Sequence, residues 1–127
     1  MSIFTHITLG TRDLERATSF YDTILAPLGL KRLVNVPGRA SAWGLDQPSL
    51  VVLYPINGKA ATASNGVTVG LQAESRDMVD EVHRLALEAG ATDEGAPGPR
   101  PVAKGAYAAY IRDHDGHKVC IGCRTGE

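Results

Sequence analysis

The sequence predicts an α+β fold built from two copies of one βαβββ module. An order of strand, capped helix and short strands occurs twice along the 127 residues. The similar tetrapeptides TRDL and SRDM open the two helices at Thr11 and Ser75, and the small-residue stretch NGKAATASNG separates the halves. We predict a single domain over residues 1–127, with module 1 at about 1–57 and module 2 at about 66–127.

In the first module, residues 3–9 alternate as a half-buried strand does. A helix follows, with Thr11 as its predicted N-cap and with Pro27 and Gly29 ending it. Its apolar stripe consists of Leu14, Ala17, Phe20, Tyr21, Ile24 and Leu25. Turn signals then separate three predicted strands, at 30–36, 39–45 and 50–54.

In the second module, the predicted strand 67–72 leads to a helix capped by Ser75 and ended by Gly90. Its predicted inward residues are Val79, Val82, Leu85, Ala86 and Ala89, with His83 on the solvent side. The Pro- and Gly-rich stretch TDEGAPGPRPVAKG predicts a loop that covers a site. The last two strands are predicted at 107–112 and 118–124.

The composition limits the partners and the compartment. Lys plus Arg is 13 and Asp plus Glu is 14, so the net charge of −1 gives no reason to expect nucleic acid or an anionic membrane as a partner. No signal-peptide pattern opens the chain, and no apolar run reaches the ~18 residues of a membrane helix. Two cysteines are too few for a disulfide scaffold. We expect a cytoplasmic protein whose partner is a small, roughly neutral ligand or another protein.

The stretches THITLGTRDLERATSFYDTILAPLGL and GAYAAYIRDHDGHKVCIG resemble the glyoxalase, bleomycin-resistance and extradiol-dioxygenase superfamily, whose members are also called vicinal oxygen chelate proteins. The resemblance implies that the two modules form a curved mixed sheet around a cleft. It also implies a divalent metal, held by the first and last strands of each module. Such a metal stabilises an enediolate or activates dioxygen when substrate oxygens chelate it.

The metal positions of this superfamily are largely replaced in this chain. By the resemblance, His6 matches the ligand of the first strand, and Thr68 takes the equivalent place in the second module. Cys120 replaces the usual glutamate of the last strand, and its counterpart in the first module falls on Val52 or Leu53. His6 and Cys120 remain as the only candidate ligands. Because a catalytic metal generally needs about three protein ligands, we expect a protein without bound metal as isolated.

The stretch DHDGHKVCIGC is rich in metal-binding residue types, but its pattern indicates a turn followed by a strand. Asp113, His114 and Asp115 are predicted to be solvent-exposed turn residues, since Asp115 and Gly116 tolerate a positive φ. Cys120 and Cys123 lie three positions apart on a strand, and so face opposite sides. They cannot form the compact thiolate pair of a zinc site.

Seven residues form the predicted ligand pocket: His6, Arg39, Trp43, Thr68, Gln72, Tyr107 and Cys120. Tyr107 shares the face of Cys120 if the hairpin loop between the last strands has an even number of residues, whereas an odd number selects Tyr110. A structural role is the alternative for His6, the core for Trp43, solvent for Arg39, and an inert buried thiol for Cys120.

Two classes of function fit these residues, and the first is favoured because the predicted pocket is more polar than capture of an apolar ligand requires. One is an enzyme with lyase, isomerase or dioxygenase-type chemistry, in which a metal or a polar cleft stabilises an oxyanion. The other is a non-catalytic protein that sequesters a small molecule, of the bleomycin-resistance type. The sequence identifies neither a catalytic residue nor a substrate. A homodimer is expected, because curved sheets leave strand edges that natural proteins usually cover.

Overall fold

The computed structural model of the protein describes residues 2–124, and the chain divides after Ala63 into two compact units. Each unit contains one βαβββ module with its own four-stranded mixed sheet, so the predicted α+β fold and its repeat are confirmed. Within the described residues, no helix combines the length and the apolar character that crossing a bilayer requires.

The first module runs through β1 (Ile7–Gly10), α1 (Leu14–Leu25), β2 (Lys31–Val36), β3 (Ala40–Gly44) and β4 (Pro48–Leu53). Its sheet has the order β1-β4-β3-β2, with β1 parallel to β4 and the other neighbours antiparallel. The second module runs through β5 (Thr68–Gln72), α2 (Arg76–Glu88), β6 (Thr92–Pro99), β7 (Tyr107–Arg112) and β8 (Lys118–Cys123). Its sheet has the order β5-β8-β7-β6, with β5 parallel to β8.

The two helices begin at side-chain caps. Ser75 caps α2 as predicted, and its hydroxyl accepts a hydrogen bond of 3.1 Å from the Met78 amide. The predicted cap of α1 was wrong, because Asp13 caps that helix by accepting from the Arg16 amide. The Thr11 hydroxyl is buried and accepts from the Asp13 amide instead. All six apolar residues predicted for the α1 stripe are buried.

Strand β1 is shorter than predicted. It pairs with β4 only from Ile7, which lies opposite Leu50. Ile3 and Phe4 precede the paired segment and are 92% and 66% exposed. The alternation of residues 3–9 therefore predicted the strand but not its first residue.

The predicted loop at 92–105 was wrong in its first half, which forms β6. This strand lies at the edge of the sheet and pairs with β7 through two irregularities, one between Asp93 and Gly95 and one between Gly95 and Gly98. Proline is tolerated at sheet edges and at bulges, because its missing N–H is not needed there. A segment with this composition can therefore form a strand.

His83 is buried, at 7% exposure, rather than on the solvent side of α2 as predicted. Its Nε2 lies 3.1 Å from Oδ1 of Asp93 on β6. The same carboxylate oxygen accepts a hydrogen bond from the Gly95 amide. Burial of the imidazole is possible because this carboxylate supplies it with a partner.

The turn between β7 and β8 has five residues, 113–117, and two of its carboxylates are buried. Asp113 Oδ1 accepts 2.9 Å hydrogen bonds from the amides of Asp115 and His117. These bonds replace water around the carboxylate, so the prediction of solvent-exposed residues was wrong for Asp113 and Asp115. His114 is also partly buried, against Gly90 at the end of α2. Only Gly116 has a positive φ in this turn.

Trp43 lies in the core of the first module, the alternative that the sequence left open for it. It is 1% exposed, its Nε1 donates a 2.8 Å hydrogen bond to Asp22 on α1, and its ring lies 5.7 Å from that of Tyr21. Arg39 is exposed in the turn between β2 and β3. The two residues therefore lie apart, one inside the first module and one at its surface.

We expect Trp43→Phe to lower the free energy of unfolding by roughly 1–3 kcal/mol, because it leaves a cavity and removes the hydrogen bond to Asp22. Chemical denaturation measures the change. Arg39→Ala is the control, and an exposed turn residue should change the stability by no more than about 0.5 kcal/mol. Equal effects of the two substitutions would contradict the assignment of Trp43 to the core.

The ionisation of Asp93 should make the stability of the fold depend on pH. The hydrogen bond from the Gly95 amide, and next the one with His83, lower the pKa of Asp93 below its ordinary 3.8. The ionised carboxylate therefore stabilises the fold above that value, and the stabilisation disappears as the pH falls through the lowered pKa. We expect Asp93→Asn to be less stable than the natural protein at neutral pH, with the difference shrinking in acid.

Thermal unfolding across this pH range tests the expectation. Glu74→Gln, at an exposed carboxyl just before α2, is the control for removing a negative charge. If the difference in stability between Asp93→Asn and the natural protein does not shrink as the pH falls, ionisation of Asp93 is not the source of the stabilisation.

Candidate ligand-binding site

The sheet of the second module has one face covered by α2 and one face opposite it, which we call the far face. Strands β7 and β8 alternate between the two, as strands must. The residues that pack beneath α2 are apolar and almost completely buried: Val69, Ala109, Ile111, Val119 and Ile121. The alternate residues of these strands have their side chains on the far face. These side chains do not pack beneath α2, so they need not be apolar.

The strand register arranges the far face in two rows. Gly70, Cys120 and Tyr110 lie opposite one another across β5, β8 and β7. Gln72, Gly122 and Ala108 form the next row. Because the turn at 113–117 has an odd number of residues, the register pairs Cys120 with Tyr110. Tyr107 lies opposite Cys123 instead.

A cavity of about 380 Å³ lies on the far face, and we call it the far-face cavity. Its floor is formed by Gly70, Ala108 and Gly122, which have no side chain beyond Cβ. A Cβ placed on Gly70 would meet no atom within 4 Å, so this glycine opens directly into the cavity. Around the floor stand longer side chains, including Gln72, Arg100, Tyr110, Cys120 and Arg124.

Arg100 follows β6 and folds back over that strand. Its Nη1 donates to the carbonyl oxygens of Gly98 and Pro99 at 3.0 and 3.2 Å, and its Nη2 donates to that of Ala96 at 2.7 Å. A Cβ on Gly95 or on Gly98 would lie 3.3 Å from the guanidinium nitrogens. These two glycines therefore leave the space that the side chain of Arg100 occupies.

The Tyr110 ring is surrounded by cations and a thiol. The Cζ of Arg100 lies 5.5 Å from the ring centroid, and the Nζ of Lys118 lies 5.1 Å from it. The charge that Cys120 acquires on ionising, followed by partial burial and a hydrogen bond with Cys120, raises the pKa of Tyr110, while the charge of Arg100 opposes the shift. The Tyr110 hydroxyl is therefore neutral and able to donate a hydrogen bond near neutral pH.

Tyr107 lies at the side of the cavity nearest α2. Its hydroxyl donates a 2.6 Å hydrogen bond to Asp80 on that helix, which raises the pKa of Tyr107. The Cζ of Arg76 lies 4.8 Å from its ring centroid. These contacts anchor Tyr107 to α2, so its hydroxyl already has a partner.

Three of the seven residues predicted for the pocket line the far-face cavity: Gln72, Tyr107 and Cys120. Thr68 is exposed at the start of β5, opposite Lys118, and lies outside the lining. His6 is exposed before β1, with its Nδ1 3.0 Å from the Thr5 hydroxyl. Arg39 and Trp43 belong to the first module, as described above.

Arg100, Arg124 and the three floor residues were not predicted from the sequence to line a pocket. Two of the floor residues could have been found from the alternation of side chains along a strand. Gly70 lies two positions before Gln72 and Gly122 two positions after Cys120, so each shares a strand face with a predicted pocket residue. Arg100 lay in the segment predicted as a loop, so no strand face could be assigned to it. Tyr110 was the alternative to Tyr107 and depended on the length of the turn.

The donor atoms at the family's metal positions do not fit a divalent metal. Thr8 lies opposite Val51 as Gly70 lies opposite Cys120, so the counterpart of Cys120 is Val51 and not Val52 or Leu53 as predicted. The four positions thus offer an imidazole, a hydroxyl, a thiol and a hydrocarbon. Within residues 2–124, no three His, Cys, Asp or Glu side chains are grouped so that they could hold a metal ion. We therefore derive no chemistry from a metal.

Comparisons with known proteins identify the family. Residues 3–121 match the model of the Glyoxalase/Bleomycin resistance protein/Dioxygenase superfamily. The chain belongs to this superfamily. A glyoxalase/bleomycin resistance protein from Albidiferax ferrireducens T118 has 35% sequence identity and a TM-score of 0.86, and the match covers 97% of this chain and 99% of that one.

Two further solved structures share the fold at lower identity. Lactoylglutathione lyase from Agrobacterium tumefaciens is 23% identical with a TM-score of 0.69, covering 97% of this chain and 94% of that one. TioX from Micromonospora sp. ML1 is 18% identical with a TM-score of 0.69, covering 97% of this chain and 99% of that one. A comparison with curated proteins gave no match.

We expect a chelator to leave the melting temperature of the purified protein unchanged, because the donor set is too poor to bind a metal that stabilises the fold. Thermal denaturation with and without chelator, and after addition of zinc or nickel, measures this. A melting temperature that falls with chelator, or rises with added metal and depends on both His6 and Cys120, would make these two residues true ligands.

Proposed function

We propose that the second module of this protein binds a small organic molecule in the far-face cavity, without a metal. The observation that carries the proposal is the floor of Gly70, Ala108 and Gly122, surrounded by longer polar and aromatic side chains. A floor without side chains gives a ligand direct access to the sheet. The surrounding polar groups can fix its orientation.

The size of the cavity supports a small ligand. Its volume of about 380 Å³ lies in the lower part of the range of roughly 300–1,000 Å³ that is typical of ligand pockets. Gln72, Tyr110 and Arg100 supply hydrogen-bond donors around an otherwise largely apolar lining. A few converging polar groups on apolar walls are the usual composition of a specific small-molecule site.

Of the two predicted classes, the binding protein has more support than the metal-dependent enzyme. Lyase or dioxygenase chemistry of the kind that the resemblance implied depends on a chelated metal. The four family positions offer only His6, Thr68, Cys120 and Val51, which do not form such a site. Binding in the cavity needs no metal.

A second candidate is a metal-independent reaction on the bound ligand. The observation in its favour is the pairing of two proton-carrying groups, the Tyr110 hydroxyl and the Cys120 thiol, in the lining of the cavity. Such a pair can donate a proton to a developing oxyanion. Recovery of a bound ligand unchanged after prolonged incubation supports binding, whereas conversion that Cys120→Ala abolishes supports catalysis.

The predicted homodimer and cytoplasmic location also remain proposals. The edge strand β2 exposes two apolar side chains, Leu33 at 40% and Val36 at 43%. Natural proteins usually cover or charge such edges, because an unpaired strand invites association. This exposure supports an interface that buries β2.

Filling the cavity from its floor should abolish ligand binding. Gly70→Val adds a branched side chain where no atom lies within 4 Å, so the fold should be kept while the ligand loses its space. In a fragment screen by protein-observed NMR, we expect hits that shift the amides of Gly70, Cys120 and Gly122. These hits should bind at least tenfold more weakly to Gly70→Val and should be insensitive to chelator.

Thr92→Val is the matched control, because it places the same side chain at an exposed position of the same sheet, outside the cavity. It should bind the fragments as the natural protein does. Hits that bind Gly70→Val equally well, or a screen without any hit at the cavity, would disprove the proposed function.

A further inference from the structure

We propose that the ligand of the far-face cavity is a flat organic anion of the aromatic carboxylate class. Its ring would lie on the floor formed by Gly70, Ala108 and Gly122, with its carboxylate directed to Arg100 and Arg124. This inference rests on the proposed function and names the class of molecule bound at that site. It follows from three independent features of the cavity: its charge, the fixed position of one guanidinium and the shape of its floor.

The charge of the cavity is positive. Arg100 and Arg124 line it, and none of its lining residues is an aspartate or glutamate. Three other arginines of the chain are paired with carboxylates: Arg32 with Asp22, Arg84 with Glu81 and Glu88, and Arg112 with Glu94. Within residues 2–124, Arg100 has no such ion pair. A carboxylate on the ligand would supply the missing negative charge.

Arg100 is held in place before any ligand binds. Its three hydrogen bonds go to the carbonyl oxygens of residues 96, 98 and 99, which orient the guanidinium without neutralising it. A guanidinium has five N–H donors, and these carbonyls do not use them all. A side chain that is already ordered loses little entropy when it binds a carboxylate, so its contribution to affinity is correspondingly large.

The floor favours a flat ligand. Gly70 leaves the backbone of β5 uncovered, since a Cβ there would meet no atom within 4 Å, and Gly122 and Ala108 add nothing larger than a methyl group to the floor. A planar ring can lie against this surface over its whole area, whereas a puckered ring cannot. The apolar Val102 also lines the cavity and is 79% exposed, so the ring of a bound ligand would cover it.

Matched probe molecules test the charge and the shape separately. We would measure binding of 2-naphthoate, of the neutral 2-naphthamide and of the non-planar cyclohexanecarboxylate by NMR titration. We expect 2-naphthoate to bind at least tenfold more tightly than either of the others and to shift the amides of Gly70 and Gly122. The difference in affinity between 2-naphthoate and 2-naphthamide should become smaller as salt is added, because the cavity is partly open to solvent.

Variants assign the effect to residues. Arg100→Gln should weaken 2-naphthoate at least tenfold and leave 2-naphthamide within about twofold, so that the two probes bind alike. Arg124→Gln should also weaken 2-naphthoate more than 2-naphthamide. Because Arg124 is exposed, its loss should not affect folding. Lys104→Gln removes the same charge from an exposed residue outside the cavity and is the control. The comparison of probes on the natural protein is informative even if Arg100→Gln fails to fold.

The outcomes separate this inference from the proposed function. If 2-naphthamide binds as tightly as 2-naphthoate, the anion is excluded, and if cyclohexanecarboxylate matches 2-naphthoate, the flat ring is excluded. If 2-naphthoate binds equally to Gly70→Val, it binds elsewhere and the inference fails. If other fragments bind at Gly70 and 2-naphthoate does not, the inference fails while the proposed function stands.

Discussion

The parallel pairing of the first and last strands is the constraint on which each module depends. Because β1 lies parallel beside β4, and β5 beside β8, the chain must cross the sheet after the first strand and enter it again at the opposite edge. The helix makes this crossing, and the two remaining strands complete the sheet. One helix can cover only one face of four strands. In the second module, the opposite face is therefore available for a function other than packing, and its residues need not be large or apolar.

Features that arise from local patterns could be predicted from the sequence. The α1 stripe is buried in full, and Ser75 caps α2, because helical spacing and a capping hydroxyl need only neighbouring residues. Strand β6 could not be predicted in this way. Its prolines and glycines resemble a loop, and only its edge position and its bulges make them compatible with pairing. These are properties of the assembled sheet.

The same distinction applies to the candidate site. Cys120 was found because the resemblance places it at the family's last-strand glutamate, and Gln72 because it shares a strand face with Thr68, but the choice between Tyr107 and Tyr110 required the length of a turn. The buried His83 escaped prediction because its partner, Asp93, lies on another element. The burial of Asp113 was not predicted because the amides that donate hydrogen bonds to its carboxylate are brought together only by the folded turn. A buried polar residue needs a hydrogen-bond partner, and the hydrophobic pattern of a sequence does not show which partner the fold supplies.

The glycines of β6 have a consequence for how the specificity of this protein can change over evolution. Gly95 and Gly98 point no side chain at a ligand, yet the room they leave determines where the guanidinium of Arg100 rests. A methyl group added at Gly98 would lie 3.3 Å from Nη1 of Arg100, so the guanidinium would have to shift. Selection acting on the glycines of this edge strand can thus relocate a positive charge at the far-face cavity while every residue that lines the cavity stays the same. Relatives with identical cavity linings can therefore differ in what they recognise, and a comparison restricted to contact residues would miss the cause.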